Sequence, residues 1–446
     1  MSADRRTIII AALVMVALIG VGAGSAAVFA RSACGAIGPD GVPDRAAGTD
    51  VQQLVATVFP DLDDRSGGVR AGIDRLADEL GPFSGIAEVT GADRIASTML
   101  GVAAVGSTTT SLDASGAEVR ATAAFGDAAV IVGDGGLFSL ALANPLTGQV
   151  DAVSGLDDDL EPGRCVDTAT VGTPLAFALD TSRGELLLFR VDEDGSDPEV
   201  ERRGSTGVRI WTADLDAGLA PPGTLGERLT GALGAELAVV GRRSAATDDP
   251  ELPVLTAFDR RTGTPRWTLG RELIPVHLQE QNAVWVEVLA VGRDASVLAM
   301  SPDEDGARGT TSLVAVAHAD PVGAVTPLEV PPGDIVRAEV VGDDEVVVLV
   351  RERAGWSLYR TGGPQMPAER IAAGDGDAGG IAVLDDGRIV VAAGAVTIVG
   401  PGSVDTYGLD LDAEDVVTHR GGVTLLLRAP EAVAEGEPAV TVTFGR

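Results

Sequence analysis

From about residue 85 to the C-terminus one local pattern recurs, a Gly/Asp turn followed by a short and nearly continuous apolar run. Gly126-Asp127 precedes Ala128-Ala129-Val130-Ile131-Val132, and Gly342-Asp343-Asp344 precedes Glu345-Val346-Val347-Val348-Leu349-Val350. Asp385-Asp386-Gly387 leads into Arg388-Ile389-Val390-Val391, and Gly421-Gly422 into Val423-Thr424-Leu425-Leu426-Leu427. Runs of this length, bounded by turn residues and lacking a polar alternation, read as strands buried on both faces. Thin sheets stacked face to face provide such an environment. Hydrophobic residues make up 45% of the chain but aromatics only 3%, so the core between those sheets has to be built from Val, Leu, Ile and Ala.

Leu255 to Trp267 holds the most specific version of the unit, two short strands joined by a tight turn and closed by a tryptophan. Ala257 and Asp259 alternate on the first strand. Asp259 can accept hydrogen bonds from the turn amides, and Gly263 supplies the positive φ that a compact reversal needs. Trp267 carries a ring large enough to wedge between neighbouring sheets. The pattern Ala-x-Asp-x-x-Thr-Gly-x-x-x-Trp, filled here by Ala257, Asp259, Thr262, Gly263 and Trp267, resembles the repeat of the quinoprotein-like (PQQ-like) β-propeller family. Weaker echoes surround Asn144, Asp180 and Asp214, which with Asp259 are spaced 36, 34 and 45 residues apart, about one blade each.

The fold expected from these units is all-β, a seven- or eight-bladed β-propeller over residues 85–446, with a β-sandwich array as the alternative. Ala439 to Phe444 alternates cleanly and would complete the first blade, closing the ring and removing exposed edges.

In the enzymes of the family, the resemblance implies an axial quinone with Ca²⁺, a catalytic Asp, a stacked Trp and often adjacent cysteines. Here the two cysteines are 131 positions apart, and Trp211, Trp267, Trp285 and Trp356 are accounted for by blade packing. No cofactor is therefore expected, and no catalytic residue is assigned. His277, His318 and His419 are scattered, without partners at ligand spacing, and read as surface or packing residues. The acidic stretches 192–197, 303–306 and 410–415 offer hard oxygen atoms, but none completes an Asp-x-Asp-x-Asp-Gly loop; they read as solvated turns, and no metal is expected.

Thr7 to Ala30 is a run of 24 residues without a charge, long enough to cross a bilayer as a helix at about 1.5 Å per residue. Arg5 and Arg6 precede it, so the positive-inside tendency leaves residues 1–6 cytoplasmic and the bulk extracytoplasmic. A cleaved signal peptide is the rival reading. Acylation at Cys34 is a third, although Arg31 stands where a lipobox has a Leu-like residue. In an oxidising space Cys34 and Cys165 are candidates for a disulfide, with two unpaired thiols as the alternative.

Residues 31–84 read as a Gly/Pro linker and a short helical spacer. Asp50 or Thr49 caps a segment with Val51, Leu54, Val55 and Val58 on one face, and Val69, Ile73, Leu76 and Leu80 recur at helical spacing before Gly81-Pro82.

All 33 basic residues are arginine against 66 acids, for a net charge of −33. That field repels phosphate backbones, so nucleic acid is not an expected partner. The leading functional expectation is a membrane-anchored scaffold for a protein or envelope partner. The alternatives are a PQQ-type oxidoreductase or its degenerate relative, marked by Asp, Arg and Trp converging on the axis, and a solute or glycan sensor using the propeller funnel.

Overall fold

The computed structural model describes residues 47–445 except 49, 61, 63–65, 90, 98–100, 107–108, 117, 123–127, 134–135, 144–149, 157–161, 168–172, 181–184, 192–198, 204–208, 216–228, 243, 247–252, 282, 305–306, 309–310, 324–325, 329–333, 342–344, 362–367 and 431–437. The apolar segment 7–30 and Cys34 lie outside the described residues. Among the described residues no helix is long and apolar enough to cross a membrane.

Among the described residues the strands fall into seven sheets, one of which holds two meanders joined by a parallel bridge between Ser97 and Gly136; the meanders are labelled blades 1 to 8 in chain order. Blade 1 comprises Ala92–Ser97, Gly101–Gly106, Thr109–Asp113 and Glu118–Thr122, and blade 2 Ala128–Gly133, Gly136–Ala143, Val150–Leu156 and Pro162–Asp167. Blade 3 runs Thr173–Asp180, Glu185–Val191, Glu199–Arg203 and Arg209–Asp214; blade 4 runs Leu229–Leu233, Leu237–Arg242, Leu255–Asp259 and Pro265–Leu269. Blade 5 has Ala283–Val291, Ala295–Glu304, Ser312–Ala317 and Thr326–Leu328, and blade 6 has Asp334–Val341, Glu345–Glu352, Gly355–Thr361 and Glu369–Gly374. Blade 7 is Gly380–Val383, Ile389–Ala393, Ala395–Gly400 and Ser403–Tyr407.

Blade 8 joins the two ends of the described chain. Its order is Asp412–His419, Gly422–Arg428, Ala439–Gly445, then Phe83–Glu88 with Ile86 opposite Val442, and outermost the two-residue strand Ala47–Gly48. The sheet is thus completed by N-terminal strands added outside Ala439–Gly445, rather than by the C-terminal strand added to the first blade. Each blade packs against the next through its first strand, and the first strand of blade 8 packs on that of blade 1, so the succession returns on itself. That arrangement is a β-propeller, and the shared sheet pairs edges that would otherwise be open.

The cores lie between blades. One apolar cluster joins Leu187, Val200 and Trp211 of blade 3 to Ala238, Val240 and Phe258 of blade 4. Another joins blade 4 to blade 5 through Val239, Ala257, Leu269, Val286 and Leu298, and similar clusters occupy the later junctions. Ile389 to Ala393 are buried at every position, which explains why such strands show no alternation. Small aliphatic side chains let the sheets approach, each contributing about 1.5–3 kcal/mol when fully buried.

Helices α1 (Val51–Val58) and α2 (Ser66–Leu80) bury the two faces read from periodicity. The Gln53 amide donates to the Asp50 carboxylate at 3.1 Å and caps α1. Both helices share one core with blades 7 and 8, so they are docked on the ring rather than standing off it as a spacer. A Cβ at Gly72 would stand 2.7 Å from Leu409 Cδ2, which shows how closely α2 approaches the link between those blades. At the end of α2, Arg388 of blade 7 pairs with the Glu79 carboxylate and donates to the Glu79 carbonyl, both at 2.9 Å.

Candidate functional site

The turn that closes blade 4 organises the site. Asp259 Oδ1 accepts from the Arg261 amide at 3.1 Å, the Thr262 amide at 2.9 Å and the Thr262 hydroxyl at 3.0 Å, while Oδ2 pairs with Arg266. The bonds from Arg266 and Thr262 hold the Asp259 carboxyl down to about 2, so it stays charged. Gly263 sits at φ +71°, and its amide donates to the Asp259 carbonyl at 2.8 Å.

Blades 3 and 4 meet at this turn. Trp211, on the fourth strand of blade 3, lays its ring over Gly263 and donates from Nε1 to the Arg260 carbonyl at 2.6 Å. Arg202 of blade 3 donates to the same carbonyl at 2.6 Å. The side chain of Arg260 points back into the blade junction and bonds the Gly234 carbonyl. Glu185 lies between the two guanidiniums, with Arg202 Nη2 at 2.7 Å from Oε1 and Arg260 Nη2 at 2.5 Å from Oε2. Burial works to raise the Glu185 carboxyl, but the hydrogen bonds and charges of Arg202 and Arg260 outweigh it and hold the group below its ordinary range.

Above this floor opens a cleft of about 650 Å³, lined by five arginines, Arg202, Arg260, Arg261, Arg266 and Arg293. Its remaining lining includes Trp267, His318 and two carboxylates, Glu236 and Asp259. Trp267 packs against the core shared by blades 4 and 5, with its ring centroid 6.1 Å from that of His318. His318 Nδ1 donates to the Arg293 carbonyl at 2.7 Å and Nε2 accepts from the Ser296 hydroxyl at 2.8 Å. Burial pushes this imidazole below its ordinary value, so it is neutral at pH 7 and acts by holding the Arg293 turn in place.

The other histidines lie apart from the cleft. His277 is exposed and hydrogen-bonds Ser312 at 3.0 Å. His419 is buried; it accepts from the Gly421 amide at 3.2 Å and donates to the Thr424 hydroxyl at 3.1 Å. Cys165 lies on the fourth strand of blade 2, its backbone opposite Ser154, and its candidate partner Cys34 is outside the described residues. Of the acidic stretches, 192–197 lies outside the described residues and only Asp303 and Glu304 of 303–306 are within them.

The stretch 410–415 differs from the solvated turn read in the sequence, because from Asp412 onward it is the first strand of blade 8. Asp415 is buried there, accepting from the Ile95 amide of blade 1 at 2.9 Å and from Arg337 of blade 6 at 3.3 Å. A Cβ on Gly380 of blade 7 would meet its Oδ1 at 2.1 Å, so the missing side chain makes room for the carboxylate. Asp and Arg therefore meet near the axis as a staple across blades, while Trp211, Trp267 and Trp356 lie on third or fourth strands and Trp285 on the first strand of blade 5.

The architecture defines a class, a β-propeller with an arginine-lined cleft at one blade junction. No protein-family model matches the chain, and no curated protein matches it. Among solved structures, the chain is similar to the propeller of Dos1 at 11% identity, over 83% of this chain and 96% of that one, with a TM-score of 0.47. It is also similar to the WD40 repeats of RRP9, at 10% identity over 80% and 97% of the two chains and a TM-score of 0.41. The β-propeller domain of the Trilobed protease from Pyrococcus furiosus aligns at 13% identity over 72% and 93%, with a TM-score of 0.40.

Proposed function

We propose that this chain is a membrane-anchored, extracytoplasmic β-propeller of eight blades, a diverged relative of the PQQ-like propellers, that serves as a scaffold for a protein or envelope partner. The observation that carries the reading is the docking of α1 and α2 into the core of blades 7 and 8. Only residues 31–49 separate the apolar segment 7–30 from the capped start of α1, so the anchor is tied by a short tether to a rigid part of the ring. Such a ring is held near the bilayer by one side. In an eight-blade count, blade 4 lies opposite blade 8 and presents its surface away from the tether.

Two experiments test this. Alkaline extraction of membranes should leave the chain in the pellet, and protease added to intact cells should digest it from outside. Co-isolation from native membranes should recover a reproducible partner with the full chain. Release by alkali would remove the anchor, and the absence of any reproducible partner would remove the scaffold role.

A further inference from the structure

We propose that the cleft between blades 3, 4 and 5 binds a small polyanion, a molecule carrying two or more carboxylate or phosphate groups. The inference goes beyond the scaffold reading and stands independently of it. Across the whole chain acids outnumber arginines 66 to 33, yet among the described residues the cleft and its floor bring together five arginines and three carboxylates, Glu185, Glu236 and Asp259. A concave site of reversed sign concentrates counter-ions of the opposite charge to the surrounding surface.

The arginines are arranged in two tiers. Arg202 and Arg260 are fixed by Glu185 and form a rigid floor. Arg261, Arg266 and Arg293 are exposed around the mouth and come from two blades. Arg266 is tied to Asp259, whereas among the described residues no carboxylate pairs with Arg261. His318 holds the backbone of Arg293, so the blade 5 cation stands on a braced turn. Planar guanidinium forks suit the paired oxygens of carboxylate and phosphate. The volume of about 650 Å³ falls among small-molecule sites, and Trp267 supplies an apolar wall. Glu236, exposed at one side, would accept from a ligand hydroxyl, which favours a hydroxylated polyanion.

The test is calorimetric titration of the detergent-solubilised full chain, at matched ionic strength, with citrate, with pyrophosphate and with a pentaglutamate peptide. Binding of citrate or pyrophosphate supports the proposal, and the stronger of the two identifies the anionic group. The double variant Arg261→Gln/Arg293→Gln, with an unchanged melting temperature to show that it folds, should weaken that binding by about tenfold or more. No heat with either small anion, equal binding by the variant, or binding of the peptide alone would each overturn it. Partner recovery from membranes is read separately, so either result can fail without the other.

Discussion

The Trp211 indole covers Gly263 so closely that a methyl group there would stand 2.7 Å from ring atoms Cδ2 and Cε3. This contact locks the outer strand of blade 3 onto the turn of blade 4, and it requires both the missing side chain and the φ of +71°. Gly263→Ala should therefore lose about 2–4 kcal/mol, combining backbone strain with overpacking against a fixed ring. Gly402 has a φ of +83° but nothing within 4 Å of an added Cβ, so Gly402→Ala should lose only about 1 kcal/mol. Urea titration of both variants checks the difference, and equal losses would show that the Trp211 contact carries no weight.

Glu185 lies between the guanidiniums of Arg202 and Arg260 and pairs with both. Replacing it with Gln keeps the shape but removes the negative charge that both guanidiniums share. Glu185→Gln should lose about 3–5 kcal/mol, the range for breaking a buried ion pair from one side. Arg266→Gln, which breaks the exposed pair with Asp259, should lose at most about 1 kcal/mol. Thermal denaturation of the two variants distinguishes the buried from the surface pair.

The fold makes a pH prediction through His419. Burial lowers this imidazole from 6.5 to about 4. In the unfolded chain it takes up its proton near 6.5 and in the folded chain only near 4, so the unfolded state binds more protons across that window. Stability should fall as pH drops from about 6.5 to about 4, by up to ~3 kcal/mol from this group, and flatten below. In His419→Gln the decline should be shallower; an identical pH profile would place the effect elsewhere. Asp259 acts in the other range, contributing stability above its ordinary 3.8 that is lost as pH falls through about 2.

What was legible in the sequence follows from the range of the interactions. The helix faces were readable because Val51, Leu54, Val55 and Val58 repeat within two turns. The Asp259 turn makes its contacts within a few residues, so its chemistry is local. The cleft is different, since Arg202, Arg260, Arg293 and His318 meet only after three blades have stacked. One signal did exist: Arg260, Arg261 and Arg266 crowd one turn of a strongly acidic chain. Asp415 was misread for a similar reason, because its acidic neighbours suggest solvent while its partners Ile95 and Arg337 lie far along the chain.

Closure of the ring by pairing Phe83–Glu88 with Ala439–Gly445 is the claim on which the architecture depends. Val440, Val442 and Phe444 are fully buried there, between Gly422–Arg428 and the N-terminal strand. The most direct measurement is the melting temperature of the chain lacking residues 437–446. The closed ring predicts a large fall in that temperature with loss of a single cooperative transition, because two strands lose their partner and the core under α1 and α2 is opened. An unchanged melting temperature would contradict closure.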